Sequence, residues 1–231
     1  MEIINDNPIN KFKSLPERDS NKIVRYLSTE ERARLIAALE EREENMRKER
    51  QNHNEWLKER HLKELPPFGH FTDHLKPMIL LSLSTGIRKG TLFGLEWRDV
   101  NFSEGILTLR AEIEKAEKTR YMPMNDTAYN VLSRWKEQSG KTVSSALIFP
   151  SPQTGEKINT CKTAWGSLLK RAQIENLSWH DMRHDFASQL VMAGVDLNTV
   201  RELMGHADMK MTLRYAHLAP QVKRAAVDML E

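Results

Sequence analysis

Apolar positions along most of this chain recur at helical spacing. Leu35, Ile36 and Leu39 form a stripe behind Ser28-Thr29-Glu30-Glu31. Ser28, with Glu31 three positions on, has the form of a capping box, so a helix is predicted to begin there and run into residues 40–60. That stretch interleaves opposite charges at i, i+4 spacing, the pattern of a solvated helix or a charged connector, and Pro66-Pro67 ends it. Leu75, Met78, Ile79, Leu81 and Leu83 predict a mostly apolar, buried helix within residues 71–84, stopping at Thr85-Gly86. Between residues 99 and 124 the period changes to two. Ile106, Thr108 and Arg110 alternate with Leu107 and Leu109, and Tyr121-Met122-Pro123-Met124 follows a charged interval, which predicts a small antiparallel sheet. Helical spacing then returns: Val131-Leu132 with Trp135, Trp165 with Leu168-Leu169, Phe186 with Leu190, and Val222 with Ala225, Ala226, Met229 and Leu230. The predicted fold is mainly α with one small antiparallel β-sheet, an α+β class.

The pattern divides the chain into an extended lead-in over residues 1–27, a folded unit over 28–220 with a charged helical stretch at 40–65, and a C-terminal helix or tail over 221–231. With 231 residues and 39% apolar content the chain is long enough to bury a core. No apolar run reaches the roughly 18 residues of a membrane span, and the N-terminus lacks a basic region followed by an apolar one. Cys161 is the only cysteine, which excludes an internal disulfide and a thiolate metal cluster. A cytoplasmic protein is expected. The formal net charge is +3, mildly basic. Residues 28–64 hold nine Lys and Arg against ten Asp and Glu, so the surplus lies elsewhere, and a phosphate-binding face has to be built there by local clustering.

Candidate chemistry concentrates in the second half. His180-Asp181-Met182-Arg183-His184 opens a helix whose Met182, Phe186, Leu190 and Ala193 are expected to form the buried stripe. Arg183 borders that stripe one turn from His180, so both can face one phosphate. The alternative for His180 and His184 is a capping or solvent-facing pair. A zinc site does not fit, because no Glu follows the first histidine and an Arg between them repels a cation. Leu203-Met204-Gly205-His206 reads as a helix end with His206 on the following turn. Beyond it Met209, Thr212, Leu213 and Ala216 are expected to pack, leaving Tyr215 turned away with Met211. A lone tyrosine there is surface. With cations to hold a phosphate and share its charge, it becomes a nucleophile. Arg88, after a glycine turn in Ser84-Thr85-Gly86-Ile87-Arg88, starts a short helix and by itself reads as a surface arginine.

Thr-Gly-Ile-Arg at 85–88, His-Asp-Met-Arg-His at 180–184, Leu-Met-Gly-His at 203–206 and Leu-Arg-Tyr-Ala-His at 213–217, in this order, resemble the tyrosine recombinase family of phage-type integrases. The resemblance covers about residues 27–220. It implies the catalytic-domain fold of that family and DNA strand cleavage and rejoining through a 3′-phosphotyrosyl intermediate, with neither metal nor other cofactor. Arg88 and Arg183 match the arginines that grip the scissile phosphate. His180 and His206 match the histidine positions that bond it, His180 also assisting proton transfer at the tyrosine, and Tyr215 matches the nucleophile. A lysine of the sheet's hairpin serves the family as general acid. Lys115, eight residues before Pro123, has the expected spacing, and Lys118 is the alternative.

There are two departures. The usually acidic position three after Arg88 is Thr91, which removes an expected support for that arginine, and nothing before Leu27 is long enough for the family's N-terminal clamp domain. The expected partners are double-stranded DNA attachment sites and further copies of the chain, as a tetramer on DNA and a monomer when free. The stripe after Val222 either packs within the chain or is exchanged onto a neighbour. A catalytically silent DNA-binding remnant and a type IB topoisomerase are the rival functions on the same fold.

Overall fold

The computed structural model of the chain describes residues 24–115, 117–140 and 143–219, so the lead-in through residue 23 and the stripe from Val222 onward lie outside the described residues. Helix α1 spans Thr29–Glu59. Its capping box is formed: the Ser28 hydroxyl accepts from the Glu31 amide at 3.1 Å and the Glu31 carboxylate accepts from the Ser28 amide at 3.0 Å. Leu35, Ala38, Leu39 and Glu43 are its buried positions. The charged half beyond them is continuous helix rather than an irregular connector. It is braced by the returning segment: Asn54 exchanges two hydrogen bonds with the Leu65 backbone, and Arg50 and Arg47 donate to the carbonyls of Pro66 and Gly69.

Helix α2 (Leu75–Thr85) runs through the core and packs on α4 (Asp126–Ser139) and α6 (Asp181–Met192). Gly86 ends it at φ 60°, where any side chain would strike the Phe186 ring, and the short α3 (Lys89–Phe93) follows with Arg88 as its N-cap residue. A turn of 3-10 helix leads into the sheet of β1 (Val100–Asn101), β2 (Ile106–Leu109) and β3 (Arg120–Pro123), antiparallel in the order β1-β2-β3. Register pairs Leu107 with Met122 and Leu109 with Arg120, so the expected alternation holds, with Leu107, Leu109 and Met122 buried. The loop between β2 and β3 carries Glu114, Lys115 and Lys118.

Helix α5 (Lys162–Ala172) packs on α1, and α7 (Leu197–Met204) packs on α6. Helix α8 (Lys210–Leu213) is a single turn. The main core gathers α1, α2, the sheet, α4 and α5. A smaller one consists of Val24, Ala187, Val191, Val200, Met204 and Tyr215.

Two sequence expectations fail here. On α6, Met182 is buried as expected, but Phe186 and Leu190 are only half-buried and Ala193 is exposed. The buried face instead carries Arg183, Asp185, Ala187, Ser188 and Val191. Polar groups can turn inward because partners await them: Asp185 accepts from the Leu27 amide at 3.2 Å and pairs with Arg32. After α8 the helical period breaks at once. Leu213 and Met211 are exposed and Tyr215 is fully buried, the reverse of the predicted orientation for Leu213 and Tyr215.

Candidate active site

Two helix ends create the centre of the site. The carbonyls of Gly86, closing α2, and Met204, ending α7, both accept from the Arg183 guanidinium, the first at 2.7 Å. A cation is favoured where unsatisfied carbonyls converge at helix C-termini. Burial, then the neighbouring guanidinium of Arg88, lowers the Arg183 pKa to about 9, which leaves it charged at neutral pH. Arg88 reaches the same region from the start of α3. Its Nη1 donates to Glu114 at 3.1 Å.

Gly205, at φ 60°, turns the chain so that His206 follows α7 and points back, with its Nδ1 2.9 Å from the Thr212 hydroxyl. Burial, reinforced by Arg183 and Arg88, lowers the His206 pKa to about 3. His180 is exposed at the N-cap of α6, its ring edge-on to His184 at 4.9 Å between centroids, and desolvation followed by Arg183 lowers its pKa. His184 is half-buried and its pKa falls to about 4, chiefly through burial and next through His180. Its Nδ1 lies 2.6 Å from the Tyr215 phenol oxygen. Burial raises the pKa of that phenol to about 12, against the opposing pull of Arg214 and Arg183.

Arg88, Lys115, His180, Arg183, His206 and Tyr215, all six residues singled out in the sequence, line one cleft of about 550 Å³. Lys118 lines a neighbouring cleft with Arg120 and Arg201 instead. The cleft wall also holds His184 and Arg214, two residues of the quoted motifs to which the resemblance gives no role. The local signal for His184 is its i, i+4 relation to His180, which a capping or solvent-facing pair also satisfies. Structurally it, not His180, is hydrogen-bonded to the tyrosine. No carboxylate lines the cleft among the described residues, and its four cations, Arg88, Lys115, Arg183 and Arg214, make it a receptor for an anion. The same crowding opposes a metal cation, and among the described residues no three His, Cys, Asp or Glu converge as ligands.

The acidic support missing at Thr91 is present from another direction. Glu114, fully buried, accepts from Arg88, from Arg120 at 3.0 Å and from the Thr91 hydroxyl at 2.7 Å.

Residues 55–222 match the model of the phage integrase family. The integrase of Salmonella phage P22 is 33% identical over 176 residues, covering 71% of this chain and 44% of the P22 protein. In fold the chain is similar to the catalytic domain of bacteriophage HP1 integrase, with a TM-score of 0.59 at 22% identity over 89% of this chain and 94% of that one. It is also similar to the XerH site-specific recombinase bound to a palindromic difH substrate in a post-cleavage complex, with a TM-score of 0.66 at 19% identity over 100% of this chain and 60% of that one. The chain spans 44–49% of the length of the curated relatives it matches. The family match takes in most of the chain and every residue of the cleft: the chain belongs to the phage integrase family.

Proposed function

We propose that residues 28–220 form the catalytic domain of a site-specific DNA recombinase that cuts and rejoins double-stranded DNA through a covalent link to Tyr215. The observation that carries this reading is the convergence of a tyrosine hydroxyl, two arginines, a buried histidine and a loop lysine on one carboxylate-free cleft. The solved neighbours in complex with DNA support the same partner.

In this reading Arg88 and Arg183 hold the nonbridging oxygens of the scissile phosphate, and His206 donates to one of them. Tyr215 is protonated at neutral pH, and its proton passes to Nδ1 of His184, which is neutral at that pH and lies 2.6 Å from the phenol oxygen. The phenol oxygen bonds to phosphorus as the bond to the 5′ oxygen breaks. Lys115 protonates that leaving oxygen. His180, at the mouth, bonds the phosphate. The 3′-phosphotyrosyl link conserves the phosphodiester, so the free 5′-hydroxyl of a partner strand reverses the step with little change in free energy, and positioning with fixed charge supplies the rate. Strand exchange brings four copies together on DNA from monomers in solution.

A nicked duplex carrying the attachment site of the chain's genetic element traps the link, because the short 5′-hydroxyl fragment diffuses away. The wild-type protein is expected to give a band shifted on a denaturing gel, absent with Tyr215→Phe. An adduct of equal yield from Tyr215→Phe refutes the reading.

A further inference from the structure

Glu114 takes no part in the bond changes above, yet its carboxylate joins the site's parts. Its side chain is fully buried. One oxygen accepts from the Thr91 hydroxyl on α3 at 2.7 Å. The other accepts from Arg88 at 3.1 Å and from Arg120 Nε and Nη2 at 3.2 and 3.0 Å. Arg120, at the start of β3, then donates from Nη1 to the Leu203 carbonyl at 2.6 Å, in the last turn of α7 and just before His206. Gly205 leaves room for this: a Cβ there would collide with the Arg120 guanidinium. The next residue after Glu114 is Lys115.

We infer that Glu114 is a positioning residue, which orients Arg88 toward the phosphate and fixes the base of the Lys115 loop, so that the phosphate grip and the proton donor are set by one buried carboxylate. A carboxylate with two guanidiniums in a dry setting is held far more tightly than on a surface, because each charge would otherwise be buried unpaired. Arg88 donates one arm to Glu114 and keeps the rest of its planar fork for the cleft. Thr91 supplies a hydroxyl where an acid on α3 would crowd this carboxylate. In this chain the acid comes from the hairpin and α3 supplies the hydroxyl. This inference rests on the proposed reaction for its kinetic part only.

Glu114→Gln keeps the shape and removes the charge. In the free protein, nitrogen NMR of the arginine side chains is expected to show a protected Nε–H signal for Arg120 and a protected Nη1 signal for Arg88, both of which lose protection in Glu114→Gln. Unchanged signals overturn the inference whether or not the protein cleaves DNA. In single-turnover cleavage Glu114→Gln is expected to be slower by about 100-fold, the size of a loss from misplacing a reacting group by about 1 Å. The exchange variant Thr91→Glu with Glu114→Thr, which returns the acid to α3, is expected to recover most of that loss. On DNA whose scissile linkage is an uncharged methylphosphonate, Arg88 has less charge to meet, and the Glu114→Gln penalty is expected to shrink. Wild-type cleavage by Glu114→Gln, or a penalty equal on both linkages, contradicts the inference. A wild-type protein that makes no adduct counts against the proposed function instead, leaving the NMR comparison to decide on Glu114.

Discussion

The phenol oxygen of Tyr215 and Nδ1 of His184 lie 2.6 Å apart, with the tyrosine fully buried in the small core that α6 and α7 share. This contact ties the proposed nucleophile to a residue one helical turn beyond His180. It also explains how a buried hydroxyl finds the partner that burial demands.

Replacing His184 with Gln is therefore expected to slow single-turnover cleavage by about 100-fold or more, the usual scale for a positioned proton acceptor. DNA affinity, measured with uncleavable substrate, is expected to stay within twofold, because His184 adds no charge to the cleft at neutral pH. Equal losses in binding and cleavage would assign His184 to the DNA interface instead.

Acid sensitivity follows from the same burial. His206 and His184 have pKa values of about 3 and about 4 in the fold, against about 6.5 for an unfolded histidine. Between those limits the unfolded chain binds more protons, so stability rises with pH across the window and is lost as pH falls from about 6.5 toward 4. The thermal midpoint of the wild-type protein is expected to fall over that range, and His206→Gln to flatten the fall. Parallel curves for the two proteins would show that His206 does not contribute.

How much of this was legible in the sequence depends on the range of the interaction. The Ser28 cap, the glycines ending α2 and α7 and the alternation in β2 are local, and each was read correctly because the residues that make the contact sit within a few positions of one another. The six candidate residues meet in one cleft. The orientation of Tyr215 was not legible, because the helical period assumed for it ends after the single turn of α8. The buried face of α6 was misread because Arg183 and Asp185 find partners on α2, α7 and the chain before α1, where counting apolar positions turns every charge outward. Glu114 gave no local signal, being 26 residues from Arg88, and a carboxylate in a charged hairpin is ordinarily solvated.

Lys115 and Lys118 are separated by the clefts they line, and only Lys115 shares one with Tyr215. Lys115→Ala is expected to lose cleavage of ordinary DNA, by about 100-fold or more, and Lys118→Ala to stay within a few fold of the wild type. With sulfur in place of the leaving 5′ oxygen, which departs without a proton, Lys115→Ala is expected to recover. Recovery by Lys118→Ala, with Lys115→Ala unaffected throughout, would reverse the assignment.

The most direct test of the central claim is to locate the bond. After reaction with nicked attachment-site DNA, nuclease trimming and trypsin digestion, mass spectrometry is expected to find the nucleotide on the peptide of residues 215–223, at Tyr215, through a 3′ phosphate. A nucleotide on any other side chain, or one joined through its 5′ phosphate, contradicts the account.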